Sequence, residues 1–176
     1  PTRRSSDLIA KALSISLTDI KVDRKSLFII LESVEKPGNL GAIARIADAA
    51  QVDAIIVCNP LSDVYNPNAI RASLGCVFSV KIANSDTDSV LKWLKENNIT
   101  SYAAELQATE FYHNCDFSRS SAIVFGTEAF GLSQKWIDSA DKRIKIPMLG
   151  SIDSLNVANS VAIITFEARR QLNFLV

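Results

Sequence analysis

The chain has 176 residues, of which 48% are hydrophobic and 22% are charged, and this composition favours a single compact globular domain with a substantial core. Nineteen basic and nineteen acidic side chains cancel, so any nucleic-acid partner would have to be held by a local patch rather than by overall charge. No apolar run is long enough to span a bilayer, no signal-peptide pattern opens the chain, and the three cysteines lack metal-ligand spacing, so we expect a cytoplasmic protein with no membrane partner and no metal.

The N-terminal segment does not read as part of the fold. Residues 1–8, PTRRSSDL, match one reading frame of a common sequencing-library adapter, so we interpret them as an artefact; the alternative is a genuine basic, disordered start. Residues 9–17 alternate loosely and predict a short helix, and residues 18–26 form a charged connector. We expect residues 9–26 to be the remnant of an N-terminal extension or linker and residues 27–176 to be the functional domain.

Three nearly unbroken apolar runs predict the centre of a sheet. They are LFIIL at residues 27–31, AIIVC at residues 54–58 and AIVF at residues 122–125. Runs of this kind are typical of strands covered on both faces, hence of a parallel sheet between helices. A helical segment over residues 39–52 joins the first two runs into a strand-helix-strand unit. The predicted fold class is therefore α/β, with a mostly parallel sheet flanked by helices.

The middle of the chain continues the alternation of strands and helices. Asn66 and Pro67 predict a helix start, because asparagine is a good cap and proline fits the first helical position. The further elements are a strand over residues 77–82, an amphipathic helix over 86–97, a strand over 101–104 and a polar, irregular stretch over 105–119. His113, the only histidine, lies in that last stretch and is predicted to be a surface residue rather than a catalytic one.

The C-terminal segment predicts a strand, a loop and a helix in quick succession. Residues 143–147 alternate charged and apolar side chains, and Pro147 ends the strand because proline donates no ladder hydrogen bond. Asp153 and Ser154 are candidate caps of a helix that begins near Leu155. That helix carries an apolar stripe and then cations that favour its dipole, namely Ala158, Val161, Ala162 and Thr165, followed by Arg169 and Arg170.

Three loops follow predicted strands, and in an open α/β sheet binding sites lie beyond the carboxyl ends of the strands. The first reads EKPGNLGAIAR, in which Asn39 is a candidate cap of the helix that carries Arg45. The second, GTEAFG, suits a backbone cradle for a nucleotide-like group, although it is neither a phosphate loop nor the dinucleotide pattern. The third, GSIDSLN, would alone mean only good helix capping. Each loop by itself is a weak signal.

Taken in order, the loops read N-x-G-x-x-x-R, G-x-E-x-x-G-L and I-P-M-x-G-S-x-x-S-L-N-V. Together they resemble the three motifs of the SpoU (TrmH-like) family of SPOUT methyltransferases, and RASLG at residues 71–75 is also similar to that family. The resemblance covers about residues 27–171 and places a SPOUT methyltransferase domain over residues 27–176. It implies a C-terminal deep trefoil knot, a homodimer, S-adenosylmethionine bound in the knot, and methylation of a ribose 2′-hydroxyl of tRNA or rRNA.

The resemblance also implies roles for individual residues. The methyl group of a sulfonium is already activated, so the enzyme chiefly has to align the 2′-oxygen and help it lose a proton. Arg45 would orient the hydroxyl and a neighbouring phosphate, with Asn39 fixing its pose, and the general base stays open because a guanidinium scarcely deprotonates. The implied catalytic residues are Asn39, Arg45, Glu128, Ser154 and Asn156. The implied cofactor-binding residues are Gly126, Thr127, Glu128, Gly131, Ile146, Met148, Ser154 and Leu155.

Basic side chains near the motifs are candidate RNA contacts. Arg71 and Arg143 are the foremost candidates, and Lys142 and Lys145 belong to the same group. Each of them also fits an ordinary solvated charge, so the sequence leaves both interpretations open.

The sequence departs from the family's usual residues at four positions that flank the site, namely Ala44, Ile46, Ala158 and Asn159. These departures bear on substrate geometry more than on methyl transfer. Two other interpretations stay open: a non-catalytic RNA- or cofactor-binding protein of the same fold, and a nucleotide-binding α/β domain of another class, which rests only on the glycines of the second loop. Within the enzyme hypothesis, rRNA is favoured over tRNA because many relatives with an N-terminal extension act on rRNA.

Overall fold

The structure, a computed structural model, describes residues 15–174 of the chain. The adapter-like segment at residues 1–8 and most of the helix predicted over residues 9–17 lie outside the described residues. The described strands are β1 (Leu27–Glu32), β2 (Ala54–Cys58), β3 (Ile82–Ser85), β4 (Thr100–Ala104), β5 (Glu110–Phe111), β6 (Ser121–Phe125) and β7 (Lys142–Lys145). The described helices are α1 (Pro37–Ala49), α2 (Pro67–Ser73), α3 (Thr87–Glu96), α4 (Gln134–Ser139) and α5 (Val157–Gln171), with 3₁₀ turns at Leu17–Asp19, Cys76–Phe78 and Tyr112–Asn114.

The described strands form one sheet in the order β3-β2-β1-β6-β4-β7-β5, and every neighbouring pair is parallel. The three apolar runs of the sequence are its centre, where Ile29 lies between Ile55 of β2 and Ile123 of β6. All residues of these three strands are buried. A strand covered on both faces needs apolar side chains at every position, which is why unbroken runs predicted a parallel sheet. The predicted fold class is confirmed, and the trefoil knot stays a prediction.

Helices cover both faces of the sheet, and the side chains of β1 divide between two hydrophobic cores. Ile29 packs in one core with Ile43 of α1 and Val161 of α5. The next residue, Ile30, lies in the opposite core with Trp93 of α3. Successive side chains of a strand point to opposite faces, so one strand supplies both cores. Helices α1 and α5, which carry the first and third motifs, therefore share one face of the sheet.

A glycine lets α1 and α2 approach closely. A Cβ atom added to Gly41 would lie 2.6 Å from the Cβ of Ala72 and 2.7 Å from the backbone oxygen of Ala69. Helix α2 begins as predicted, since the Asn66 side chain accepts a hydrogen bond of 2.9 Å from the backbone N–H of Asn68. Backbone contact of this kind requires the smallest side chain at the crossing point. The glycine of the first motif thus has a packing role.

The strand predicted over residues 77–82 is wrong over most of its length. Helix α2 ends in two left-handed residues, Leu74 with a φ of 53° and Gly75 with a φ of 92°. The chain then makes the 3₁₀ turn over Cys76–Phe78, in which Val77 is fully buried. This turn buries Val77 although its backbone is not extended, and β3 begins only at Ile82.

Two short elements are absent from the sequence prediction. Strand β5 pairs with β7 inside the stretch expected to be irregular, and α4 follows the second motif. Two residues of strand and six of helix are too short to show a periodic pattern. The remaining elements agree with their predicted positions to within a few residues. His113 is exposed, as predicted, and its ring stacks on Phe111 at 5.6 Å between centroids.

Helix α5 begins two residues later than predicted. Its cap is Asn156, whose side-chain oxygen accepts a hydrogen bond of 3.0 Å from the backbone N–H of Ala158. Ser154, a predicted cap, instead donates to the Asp153 carboxylate at 3.2 Å within the preceding loop. The asparagine amide reaches the backbone two residues ahead, which is the usual capping geometry, so the earlier polar residues stay in the loop.

Arg169, one of the two cations in the last turns of α5, joins that helix to α1. Its side chain is buried, and its Nη2 atom donates a hydrogen bond of 2.6 Å to the backbone oxygen of Gln51. Gln51 follows α1 and has a φ of 48°, so its carbonyl is turned out of the helix. Arg169 thereby ties the end of α5 to the end of α1, while Arg170 pairs with Glu167 at 2.7 Å.

Candidate active site

A cleft of about 670 Å³ opens beyond the carboxyl ends of β4, β6 and β7. Its walls are the segments that follow these strands, together with side chains of α4 and α5. This is where ligands bind in open parallel sheets, and the volume suits a small-molecule site. All eight residues expected to bind the cofactor line the cleft, namely Gly126, Thr127, Glu128, Gly131, Ile146, Met148, Ser154 and Leu155.

The second loop is a tight turn with little freedom. Thr127 and Gly131 exchange two backbone hydrogen bonds of 3.0 Å, and the Thr127 hydroxyl accepts a third from the N–H of Phe130. A Cβ atom at Gly126 would lie 2.1 Å from the carbonyl of Gly131, so only glycine fits there. Beyond the turn, Glu32 of β1 accepts hydrogen bonds from the N–H and hydroxyl of Ser133 at 2.8 and 2.7 Å. The turn is therefore fixed at both ends.

Residues from all three motifs meet at the mouth of the cleft, where Glu128 and Asn156 line the cleft itself and Lys36 and Asn39 line a small adjoining pocket. One oxygen of Glu128, Oε1, accepts hydrogen bonds from the amide of Asn39 at 2.9 Å and from the amide of Asn156 at 2.7 Å. The Asn156 amide also donates to the Asn39 oxygen at 3.2 Å. The other Glu128 oxygen, Oε2, pairs with the ammonium of Lys36. We call these four side chains the polar cluster.

The charge of the polar cluster is set by its hydrogen bonds. Hydrogen bonds from Lys36 first, and then from Asn39, hold the pKa of Glu128 below its usual range. Glu128 therefore stays ionised at neutral pH and acts only as an acceptor. A carboxylate held in this way is a poor proton acceptor for a substrate hydroxyl, and its role is to orient the two amides.

The amide orientations leave one donor available. Asn156 uses both amide hydrogens, on Glu128 and on Asn39, and uses its oxygen to cap α5. Asn39 uses one amide hydrogen on Glu128 and its oxygen for Asn156, so its second amide hydrogen has no partner among the described residues. That hydrogen is free to donate to a hydroxyl at the cleft mouth.

One expectation for the first motif is wrong. Asn39 lies inside the first turn of α1, whose cap position is Lys36, so Asn39 is not the cap. Within this chain its amide bonds to Glu128 and Asn156, and its predicted role in fixing the pose of Arg45 stays a prediction. Arg45 is exposed on α1 and is not among the described residues that line the cleft. Lys36 takes the cap position because Pro37 fits the first turn of the helix, which moves Asn39 inside it.

Ser154 is placed differently from the other predicted catalytic residues. It lines the cleft but bonds to its neighbour Asp153 and does not join the polar cluster. Its side chain is exposed on the third loop. The hydroxyl is therefore available to a ligand in the cleft.

The candidate RNA contacts separate into two groups. Arg71 is exposed in the last turn of α2. Arg143 is paired with Glu105 at 3.4 Å and Lys142 with Glu110 at 3.1 Å, while the ammonium of Lys145 lies 5.7 Å from the centre of the Phe111 ring. The three cations on β7 thus have partners within the chain.

Sequence reasoning missed two residues of the cleft region. Lys36 precedes the first motif, and its ammonium meets Glu128 across 92 residues of chain. Glu105 follows β4 directly and lines the cleft with a side chain that is 9% exposed. The rule that sites lie at the carboxyl ends of strands would have found Glu105, since it is the first residue after its strand.

Within residues 15–174, no group of three or more histidine, cysteine, aspartate or glutamate side chains is arranged to hold a metal ion. Cys58, Cys76 and Cys115 are free thiols, and burial raises the pKa of Cys58 to about 12 and that of Cys115 to about 11. The helices of this part of the chain include none that is long and apolar enough to cross a membrane.

Comparison with known proteins points to one family. The profile of the SpoU rRNA Methylase family matches residues 26–166. The chain is 33% identical over 161 residues to a 23S rRNA (uridine(2479)-2′-O)-methyltransferase of Streptomyces viridochromogenes, which covers 88% of this chain and 56% of that protein. It is 36% identical over 146 residues to a tRNA (guanosine(18)-2′-O)-methyltransferase of Thermus thermophilus, which covers 82% of this chain and 75% of that protein.

A solved structure agrees with these relatives. An AdoMet-bound rRNA methyltransferase from Sinorhizobium meliloti matches with a TM-score of 0.87 and 33% sequence identity, over 91% of this chain and 62% of that one. The fold described above is therefore the fold of that enzyme's matching region. The chain spans little more than half the length of the Streptomyces relative.

Proposed function

Because this chain belongs to the SpoU rRNA methylase family, we propose that it transfers a methyl group from S-adenosylmethionine to a ribose 2′-hydroxyl of structured RNA. The observation that carries the proposal is the polar cluster, in which motif residues far apart in sequence meet at the mouth of a cleft. The names of the two relatives support it, since each is a 2′-O-methyltransferase acting on RNA.

The cleft fits the proposed cofactor. Ile146, Met148 and Leu155 offer apolar walls to an adenosine, and the rigid turn that begins at Gly126 offers a backbone edge for its polar atoms. The cofactor, when bound, supplies a methyl group on a cationic sulfur. A metal ion has no part in the proposed reaction.

The chain's own residues would position the second substrate. The free amide hydrogen of Asn39 would donate to the 2′-oxygen, with Glu128 and Asn156 fixing the amide, and the Ser154 hydroxyl, whose hydrogen is donated to Asp153, would accept a hydrogen bond from the substrate. Alignment of this kind accounts for much of the rate when the methyl group is already activated. The general base is left open, because the carboxylate of Glu128 is already used.

The position of Arg45 supports a homodimer. Arg45 is exposed and outside the cleft of its own chain, so its side chain is available to the cleft of a second copy. In that position it would orient the substrate hydroxyl or its phosphate as a fixed cation. The proposed assembly is thus a dimer in which each site is completed by the partner's Arg45.

The RNA substrate is proposed to be rRNA, with tRNA as the second possibility, since the relatives include enzymes for both. Arg71 is the proposed phosphate contact on this chain, because it is exposed on α2. Arg143 would serve the RNA only if it left Glu105. The proposed location is the cytoplasm.

Calorimetric titration of the chain with S-adenosylmethionine, followed by transfer of a radiolabelled methyl group to unmodified rRNA and tRNA transcripts, tests this function. Micromolar binding and transfer to a nucleotide that then resists alkaline hydrolysis are expected. Absence of cofactor binding by the folded chain would reject the proposal. Binding without transfer to any RNA would favour the second candidate, a non-catalytic relative that keeps the cleft.

A further inference from the structure

Glu105 is a largely buried acid in the cleft that no motif explains. It is the first residue after β4, and its backbone N–H donates a hydrogen bond of 3.0 Å to the oxygen of Ile144 on β7. Its side chain is 9% exposed and forms part of the cleft wall. The backbone from which this side chain extends is therefore fixed by two strands.

The carboxylate of Glu105 accepts no hydrogen bond from the described residues. Its Oε1 atom is buried and has no hydrogen-bond partner. The Nε atom of Arg143 lies 3.4 Å away, which gives an ion pair without the geometry of a hydrogen bond. Oε1 faces Arg143 and has almost no accessible surface, so Oε2 is the oxygen that a ligand of the cleft can reach. A carboxylate oxygen with unused acceptor capacity favours a hydrogen-bond donor, and a ligand of the cleft can supply one.

The sheet order shows which end of the ligand Glu105 would meet. Lys36 and Asn39 of the polar cluster follow β1 and Glu128 follows β6, whereas Asn156 joins them from the loop that follows β7; β4 lies on the far side of β6 from β1. Neighbouring strands are about 4.8 Å apart, so Glu105 lies roughly 10 Å across the sheet from the strand that precedes Asn39. The reacting end of the cofactor belongs at the polar cluster, and its nucleoside end therefore reaches toward Glu105.

The nucleoside offers a matching pair of donors. A ribose carries hydroxyls on two adjacent carbons, and both can donate to the accessible Oε2 of Glu105, because a carboxylate oxygen has two lone pairs. An acidic residue after a parallel strand binds ribose hydroxyls in the same way in dinucleotide-binding folds. The α-ammonium of the cofactor is carried on a chain that branches from the sulfur away from the nucleoside, so it would belong to the reacting end, and the adenine would pack on the apolar wall.

We propose that Glu105 accepts hydrogen bonds from the ribose 2′- and 3′-hydroxyls of the nucleoside cofactor, and so makes the cleft selective for ribonucleoside over 2′-deoxyribonucleoside ligands. This inference rests on the proposed function. Arg143 is the positioning residue of the pair, since its Nε atom lies 3.4 Å from Oε1 of the carboxylate. Arg143, which the sequence suggested as an RNA contact, would then contribute to cofactor binding.

Calorimetry with three ligands tests the inference: S-adenosylmethionine, 5′-methylthioadenosine, which keeps the ribose but lacks the ammonium and the sulfonium charge, and the 2′-deoxy form of 5′-methylthioadenosine. On the unaltered chain, loss of the 2′-hydroxyl is expected to weaken binding at least ~10-fold. Glu105→Gln should weaken both ribose ligands by a similar factor and reduce the difference between the ribose and deoxyribose ligands. Glu96→Gln, an exposed acid on α3, is the matched control and should change nothing.

The outcomes separate the two proposals. Equal affinity of the unaltered chain for the ribose and 2′-deoxy ligands would overturn the assignment without any variant. A Glu105→Gln loss confined to S-adenosylmethionine would also overturn it, because the carboxylate would then face the sulfonium or the ammonium. In both cases cofactor binding by the unaltered chain leaves the proposed function standing, whereas failure of that chain to bind S-adenosylmethionine removes both.

Discussion

Glu128 illustrates how a single side chain can orient a site without taking part in proton transfer. Its carboxylate faces three donors, namely the Lys36 ammonium and the amides of Asn39 and Asn156. An amide that faces a carboxylate has only one favourable orientation, with its nitrogen toward the charge. Glu128 thus determines which hydrogen of Asn39 remains for a substrate.

The lowered pKa of Glu128 predicts how the polar cluster responds to acid. Because the folded pKa lies below the usual glutamate range, the hydrogen bonds are kept as pH falls through that range and are lost only at lower pH. Lys36→Met removes the largest cause and should raise the pKa of Glu128 toward its ordinary value. Carboxyl-carbon NMR titration measures both, and identical titration curves for the two proteins would contradict the assignment. The side chain is partly exposed, so the effect on overall stability should be small.

Arg45 is a second single residue whose role can be tested. Because its side chain is exposed, its removal should affect methyl transfer without affecting cofactor binding. Arg45→Ala should leave the affinity for S-adenosylmethionine unchanged and lower methyl transfer by at least ~100-fold, as expected for loss of one group that acts on the reacting atoms. Arg119→Ala, which removes another exposed arginine, is the control and should retain activity. Unchanged turnover in Arg45→Ala would remove its proposed role.

The secondary-structure elements that could be predicted are those in which burial requires a clear pattern of apolar residues. The strands at the centre of the sheet are apolar at nearly every position because both faces are covered, so their runs identify them. The strand predicted over residues 77–82 failed because the left-handed pair Leu74 and Gly75 turns the chain, and a leucine gives no sign of that conformation. The prediction of the α5 cap failed because Asp153, Ser154 and Asn156 can all cap a helix, and only tertiary packing selects Asn156.

The site was predictable in part for the same physical reason. The loops could be grouped because carboxyl ends of parallel strands lie at one edge, and Asn39, Glu128 and Asn156 do come together. Lys36 pairs with Glu128 and Glu105 with Arg143, and each partner is far away in the sequence. The spacing of residues along the chain therefore does not indicate these pairs. The exposure of Arg45 likewise depends on how α1 packs.

The contact between α1 and α2 yields a stability prediction with a control on the same helix. Gly41→Ala places a methyl group 2.6 to 2.8 Å from atoms of α2, including backbone, and should lower the free energy of unfolding by about 1–3 kcal/mol. Gly38→Ala meets nothing within 4 Å and should leave stability unchanged or raise it by less than about 1 kcal/mol. Urea denaturation of both variants checks this, and equal midpoints would contradict it.

The second loop yields a binding prediction of the same design. Gly126→Ala forces the carbonyl of Gly131 away and should open the turn, lowering the affinity for S-adenosylmethionine at least ~10-fold. Gly150→Ala, in the third loop with no atom within 4 Å of the added methyl group, should bind as the unaltered chain does. Calorimetry measures both, and a Gly126→Ala variant with full affinity would show that the turn does not shape the cleft.

For the whole molecule, the position of Arg45 makes assembly part of the proposed chemistry. A monomer would present the polar cluster at its own cleft and Arg45 elsewhere on its surface. In a symmetric dimer, the polar cluster of each copy would face Arg45 of the other copy, so both sites would be completed at once.

Complementation tests that arrangement. Arg45→Ala and Asn156→Ala should each be inactive alone, whereas dimers formed from one copy of each should recover one working site, because the intact arginine faces the intact cluster. Sedimentation at micromolar concentration should show a dimer for the unaltered chain. Recovery would fail if Arg45 acted on its own cleft, since every site would then lack one residue.

The all-parallel pairing of the described strands also has a consequence for how the chain acquires its activity. Parallel neighbours cannot form by a local hairpin, so each pairing must close a long loop before it gains contacts, and folding of such sheets is slow. Asn39 and Asn156 are 117 residues apart, and they meet only when the first helix and the last are both seated. Helical content should therefore return early in refolding, and the polar cluster should form late. The time at which the chain becomes active is then set by the closure of its longest loop.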